Sequence, residues 1–178
     1  MVIFGELFSW GVNMTSPYLW LKFIHVIAAV TFMVAHGTSI AISFRLKHEK
    51  DVIRIKAFLD LSSTMWVATM LSLLVLLIIG IVLGFMGRWW SQTWIWASIV
   101  LLLVITFWMF YIGQRTYHPL RKALGLPYQA GGKEMPAEEP APEEDNFALI
   151  AKTRLGLMLL IGYGGFVLII WLMMFKPV

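Results

Sequence analysis

Cysteine is absent from the 178 residues, so neither a disulfide framework nor a thiolate metal site can be built. Charge is scarce as well: 13% of the residues are charged and 60% are apolar, where a soluble domain carries roughly 25% charged residues. A water-facing globule of this composition would show leucine and phenylalanine over most of its area. Lipid is the solvent that fits. The first sixteen residues have no basic n-region, and Glu6 interrupts their apolar stretch, which argues against a cleavable signal peptide. There is no phosphate loop, dinucleotide glycine fingerprint, His-Glu-x-x-His zinc motif or nucleophile elbow, and this argues against a hydrolase or a nucleotide-driven enzyme. The net charge of +4 is no nucleic-acid signature, because the basic residues stand in short blocks beside apolar runs.

What the sequence does have is four long apolar runs. Crossing a hydrocarbon core of about 30 Å takes roughly 20 helical residues, and the runs from Tyr18 to Phe44, from Val52 to Phe85, from Thr93 to Tyr117 and from Phe147 to Phe175 all reach that length. The expected fold is all-α, a four-transmembrane-helix bundle. Pro17 suits the first turn of the first helix, and Pro119 is expected to stop the third. Residues 1–16, with Phe4, Leu7, Phe8 and Trp10 around one acid, read as an interfacial segment lying on the membrane surface. The membrane domain is then 17–178, with a flexible loop at 118–146. From Gly125 to Asn146 the loop combines prolines, Gly131, Gly132 and six acids, a composition that buries no core.

Eleven of the fourteen lysines and arginines fall on one side of this four-span scheme, among them Arg45 to Lys56, Arg115 to Lys133, Lys152 and Arg154. Lys22, Arg88 and Lys176 fall on the other. The positive-inside rule places the larger group in the cytoplasm and both termini outside, in a multi-pass protein of the cell's inner membrane. Seven tryptophans, from Trp10 and Trp20 through Trp89, Trp90, Trp94 and Trp96 to Trp171, collect at the outer interface, where indoles settle.

Polar groups within a span are costly and are functional candidates by default. His25 and His36, both in the first run, are eleven residues apart, which is about 20° of rotation and roughly 16 Å of rise. They share one face, one in each leaflet. A buried neutral imidazole is a good axial ligand for haem iron, and two on one face could hold two cofactors in series across the bilayer. Ala28, Ala29, Ala35 and Gly37 leave room for a flat macrocycle, and Phe32 lies between the histidines. The other two histidines, His48 and His118, fall in loops, so a second axial ligand would come from Met65, Met70, Met109 or Met158, or from a partner protein. Asp60 and Arg154 lie at similar depth and are expected to pair. Gly162, Gly164 and Gly165 permit the close approach of a helix or a cofactor.

The run Trp20-Leu21-Lys22-Phe23-Ile24-His25-Val26-Ile27-Ala28-Ala29, closing at Arg45, resembles the opening span of the superfamily that contains copper-resistance protein D. Small integral membrane proteins of unknown function belong to that superfamily, and the membrane protoporphyrinogen oxidase is similar in this span. The resemblance covers about one helix, with the early histidine in a Lys-x-x-His setting as its mark. It implies a four-helix core and a role for His25 in binding haem b or copper. His36 departs from the pattern, so its role as a second ligand rests on helical geometry.

The leading expectation is therefore a haem-b-binding protein of transmembrane electron transfer, a subunit of a larger redox complex or a homo-oligomer, with His25 and His36 as the cofactor and metal ligands. A non-catalytic accessory subunit that stabilises a membrane complex is the second reading. Copper handling through His25 and methionine thioethers is the third.

Overall fold

The computed structural model describes residues 16–130 and 133–177, apart from the side chains of residues 143 and 144. The expected interfacial segment at 1–16 lies almost wholly outside the described residues. Among the described residues four helices are long and apolar enough to cross a membrane, and the chain is an all-α four-helix bundle. Helix α1 is Pro17–Leu46 and α2 is Val52–Met86; a single 3-10 turn, Trp89–Ser91, leads into α3, Thr93–Ala123. Two short strands follow, β1 Tyr128–Ala130 and β2 Lys133–Met135, then α4 Glu143–Ala151, α5 Leu155–Leu159, a π-helical turn Leu160–Gly164 and α6 Gly165–Phe175. The fourth span is α5, the π turn and α6 together.

Leucine, isoleucine, phenylalanine and valine surround each helix on all sides. Such helices are buried or face lipid, and their outward residues, Val34, Leu71, Phe107 and Leu160 among them, are well exposed. The ends are set by local chemistry. Asp51 caps α2 by accepting from the Ile53 N–H at 2.9 Å. Gly125, at φ 67°, ends α3. Its N–H reaches the Lys122 carbonyl at 3.0 Å and the next N–H, of Leu126, reaches Arg121 at 2.9 Å, the paired bonds of a Schellman cap that needs a left-handed residue.

The core has two layers. In the middle of the bundle Ala28 and Phe32 of α1 pack with Leu73 and Leu76 of α2, Leu102 and Ile105 of α3, and Phe166 and Ile169 of α6. Towards the basic end, Ile42, Leu46, Ile55, Leu59, Leu120, Leu124 and Ile150 form a second cluster. The opposite end is closed by aromatics: Tyr18 meets Trp89 edge-on at 6.4 Å, Trp89 packs on Trp94 and Trp90 on Trp96. The Lys176 ammonium lies 4.6 Å from the Trp89 ring centre. The start of α1 and the end of α6 therefore share the tryptophan end.

Three local expectations are corrected. Pro119 lies inside α3 rather than at its end. Proline removes one backbone donor, but burial of Leu120 and Leu124 in the basic-end cluster holds the last turn in place. The fourth helix does not run unbroken from Phe147. It is interrupted at Lys152–Arg154, where the chain makes short turn bonds such as Leu155 N–H to Thr153. Asp60 pairs not with Arg154 but with Arg121, at 3.1 Å; the same guanidinium donates to the Leu59 and Pro127 carbonyls and to Ser63.

Within 118–146, expected to be a flexible loop, the chain places the last turn of α3, the antiparallel β1–β2 pair with Ala130 opposite Lys133, and the first turn of α4. Tyr128 tucks inward from β1 and donates to Glu138 at 2.5 Å. Glu138 in turn meets the Lys122 ammonium at 3.2 Å.

Candidate cofactor site

A hydroxyl at membrane depth is satisfied most simply by its own helix, through the carbonyl four residues back. The bundle uses this device repeatedly: Thr31, Thr38, Ser39 and Ser43 on α1, Thr69 and Ser72 on α2, and Ser98 on α3 all do so. Ser43 also bonds to the Tyr117 hydroxyl across to α3. His48 does the same through Nδ1, to the Phe44 carbonyl at 3.2 Å, but the two histidines inside the first span do not. Nδ1 of His25 and Nε2 of His36 are buried and find no hydrogen-bond partner among the described residues.

Each of these nitrogens lies against a glycine. His25 faces α2: a Cβ placed on Gly80 would stand 3.1 Å from His25 Cε1 and 3.6 Å from Nδ1. The ring also lies near the Leu76 backbone, but Nδ1 makes no hydrogen bond of ordinary geometry. His36 faces the fourth span, where a Cβ on Gly162 would stand 2.5 Å from Nε2. At Gly80 an alanine fits with a slight adjustment; at Gly162 any side chain collides with the imidazole.

The two rings differ in company too. His36 is stacked on Phe32, with ring centres 5.7 Å apart and planes within 11°, and on Tyr163 at 6.5 Å. Phe32 continues the stack to Phe166 at 5.0 Å. The Tyr163 hydroxyl donates to the Met33 carbonyl at 3.3 Å and fills the space beside Gly37. Gly162 and Tyr163 both belong to the π turn. A π turn adds one residue to the helical ladder and is frequent at functional sites. Here it turns Gly162 and Tyr163 together toward α1.

His25 and His36 thus occupy one face of α1 as the spacing predicts, but they look onto different walls. Between them lies the central layer of Ala28 and Phe32, and Met70 and Met109 pack at its rim. Met158 is buried on α5. Lys22, one turn before His25, is exposed. Among the described residues no three histidines or carboxylates gather in one place, so each histidine can offer only a single ligand. Gly80, Tyr163 and Arg121 are the residues that sequence reasoning missed. Gly80 stands four residues before Gly84 in an apolar run, and that Gly-x-x-x-Gly spacing, a mark of close helix approach, was its signal. Gly162 was legible as a point of close approach, without His36 as the group approached.

Comparison of the chain with protein-family models, with curated proteins and with solved structures finds no match.

Proposed function

We propose that this chain is a haem-b-binding protein of the cell's inner membrane, acting in transmembrane electron transfer as a subunit of a larger redox complex, with His25 and His36 as ligands. The observation that carries the reading is the pair of buried ring nitrogens without hydrogen-bond partners, one facing Gly80 and the other Gly162. A buried polar atom left unpaired costs roughly 1–3 kcal/mol, and coordination to iron would offset that cost at each histidine. Buried imidazoles are neutral ligands, and glycine walls are where a flat group can approach a helix closely. His25 fits the role of axial donor better, because its glycine leaves more room. At His36 the π turn must yield for anything to enter.

Haem b held there would supply a reversible one-electron couple whose potential is set by its axial ligands and the low polarity around it. The residues of the chain fix the ligand rings, exclude water with the Phe32–Phe166 stack, and offer Met70 or Met109 as second-ligand candidates. The resemblance of the Trp20–Ala29 run to the copper-resistance protein D superfamily supports His25 in particular. The eleven-to-three distribution of basic residues supports a cytoplasmic basic end and an outer tryptophan end.

The accessory-subunit reading is favoured by a different observation. His36 sits in a closed aromatic stack against Gly162, and such packing gives an imidazole a structural use. Copper handling through His25 and the methionines ranks third. A visible spectrum of detergent-purified protein, oxidised and reduced, separates these readings. A Soret band with reducible α and β bands is expected. His25→Ala and His36→Ala should each remove about one haem independently, since positions roughly 16 Å apart share no ligand. Protein without a Soret band and without iron, but co-purifying with stoichiometric partners, would replace this reading with the accessory one.

A further inference from the structure

A polar concavity lies away from both histidines, where α3 leaves the apolar layer. Twenty helical residues span the hydrocarbon core, so from Thr93 the core is crossed by about Ile112. Gln114 and Arg115 are the first strongly polar residues beyond it. Strand β1 folds back alongside this last stretch of α3, anchored where the Gln129 N–H donates to Nδ1 of His118 at 2.9 Å. Between strand and helix is a pocket of about 510 Å³ lined by Gln114, Arg115, His118, Lys122, Tyr128 and Gln129.

Its chemistry is that of an anion site. Because His118 Nδ1 accepts from Gln129, the ring proton sits on Nε2, which becomes a donor. Gln114 and Gln129 carry side-chain amides, and Arg115 carries a guanidinium. Lys122 is already paired with Glu138, so among the described residues Arg115, lying 4.5 Å from the Tyr111 ring centre, supplies the uncompensated positive charge. On β2, Lys133 and Glu134 are both exposed and of opposite sign. The carbonyl end of α3 would repel an anion, but its last carbonyls are already taken by Leu124, Gly125 and Leu126. The volume falls within the range of small-ligand pockets, roughly 300–1,000 Å³. Basic pockets at the ends of spans, level with the headgroups, are where anionic lipids are held.

We infer that this pocket binds the phosphate of an anionic phospholipid in the leaflet next to the basic end, with Arg115 as the charge and His118, Gln114 and Gln129 as hydrogen-bond donors. The hairpin then serves as the outer wall of a lipid site.

The test uses the full chain in nanodiscs of phosphatidylcholine containing a minority of phosphatidylglycerol, with the lipid retained on detergent extraction read by native mass spectrometry. Retained phosphatidylglycerol should exceed its share of the disc several-fold. Arg115→Gln should return the ratio to that of the bulk, while Lys47→Gln, at the same end but outside the pocket, should leave the enrichment intact. Gln114→Trp, which fills the pocket and keeps every charge, should act like Arg115→Gln and decides the matter if the arginine variant fails to fold. No enrichment in the unaltered chain, or equal loss in Lys47→Gln, would overturn the site in favour of diffuse attraction. Displacement of the lipid by millimolar inorganic phosphate would overturn the lipid assignment and leave a site for soluble phosphates. None of these measurements reads a haem, so their outcome stands apart from that of the redox reading.

Discussion

His25 and His36 are chemically the same group on the same face of one helix, yet their surroundings differ in kind. His25 looks across at a regular stretch of α2, where Gly80 leaves enough clearance that an added methyl would only brush the ring. His36 is enclosed, with Phe32 and Tyr163 stacked on it and Gly162 of an irregular turn pressed against its free nitrogen. Helical periodicity tells which side of α1 a residue occupies. It says nothing of how far away the opposite wall stands, and that distance separates a ring with clearance from a tightly packed one.

The sharpest way to break the contrast is to add one methyl group on each side. Gly162→Ala forces its Cβ onto His36 and should cost about 1–3 kcal/mol, the usual penalty for overpacking, read from thermal unfolding in detergent. Tyr163→Phe comes next. It removes a long hydrogen bond to Met33 while keeping the ring stack, and a loss of about 0.5–1 kcal/mol is expected; a larger loss would mean that the hydroxyl, and not the ring, holds His36 in place. Gly80→Ala should be close to neutral, because the roughly 1 kcal/mol gained in helix propensity offsets a slight adjustment beside His25. Equal destabilisation by the two alanines would erase the distinction between the sites.

The smallest effect is expected far from both rings, at the hairpin. Tyr128 donates to Glu138 and Lys122 pairs with it, which together hold the Glu138 carboxyl below its usual 4.5; the same contact with Glu138 holds the Tyr128 phenol above its usual 10.0. A lowered carboxyl pKa means that the contribution to stability is complete above the unfolded value and is lost as pH falls through the folded one. Hydrogen exchange at the β1–β2 amides, corrected for intrinsic rates, should therefore quicken only at pH below the ordinary carboxylate range. In Glu138→Gln that pH dependence should be absent.

How far the sequence could be read follows the same line. Four apolar runs are legible because spanning a bilayer demands their length, and the tryptophan end because indoles collect at interfaces. The depth of Asp60 was legible, but its partner was not. Arg121 and Arg154 both lie near that level, and only the folded path of α3 beyond Pro119 brings Arg121 to it. The π turn was hidden, since hydropathy stays high through it and a one-residue change in a helical ladder leaves no trace in composition; the break falls on Lys152 and Arg154, whose charges alone do not tell an interrupted helix from a continuous one. The histidine face was visible, and the two glycines opposite it needed the packed bundle.

Arg121 has a further consequence, for the order in which the bundle is assembled. Its guanidinium holds Leu59, Asp60 and Ser63 of α2 and Pro127 beyond α3 at once, so this latch closes only after synthesis has passed residue 127. Until Arg121 is made, α1 and α2 can insert and pair, but Asp60 lacks its counter-ion and the basic-end cluster lacks Leu120, Leu124 and Ile150. A nascent chain halted before Arg121 would carry a half-built membrane hairpin with an unpaired acid at its edge.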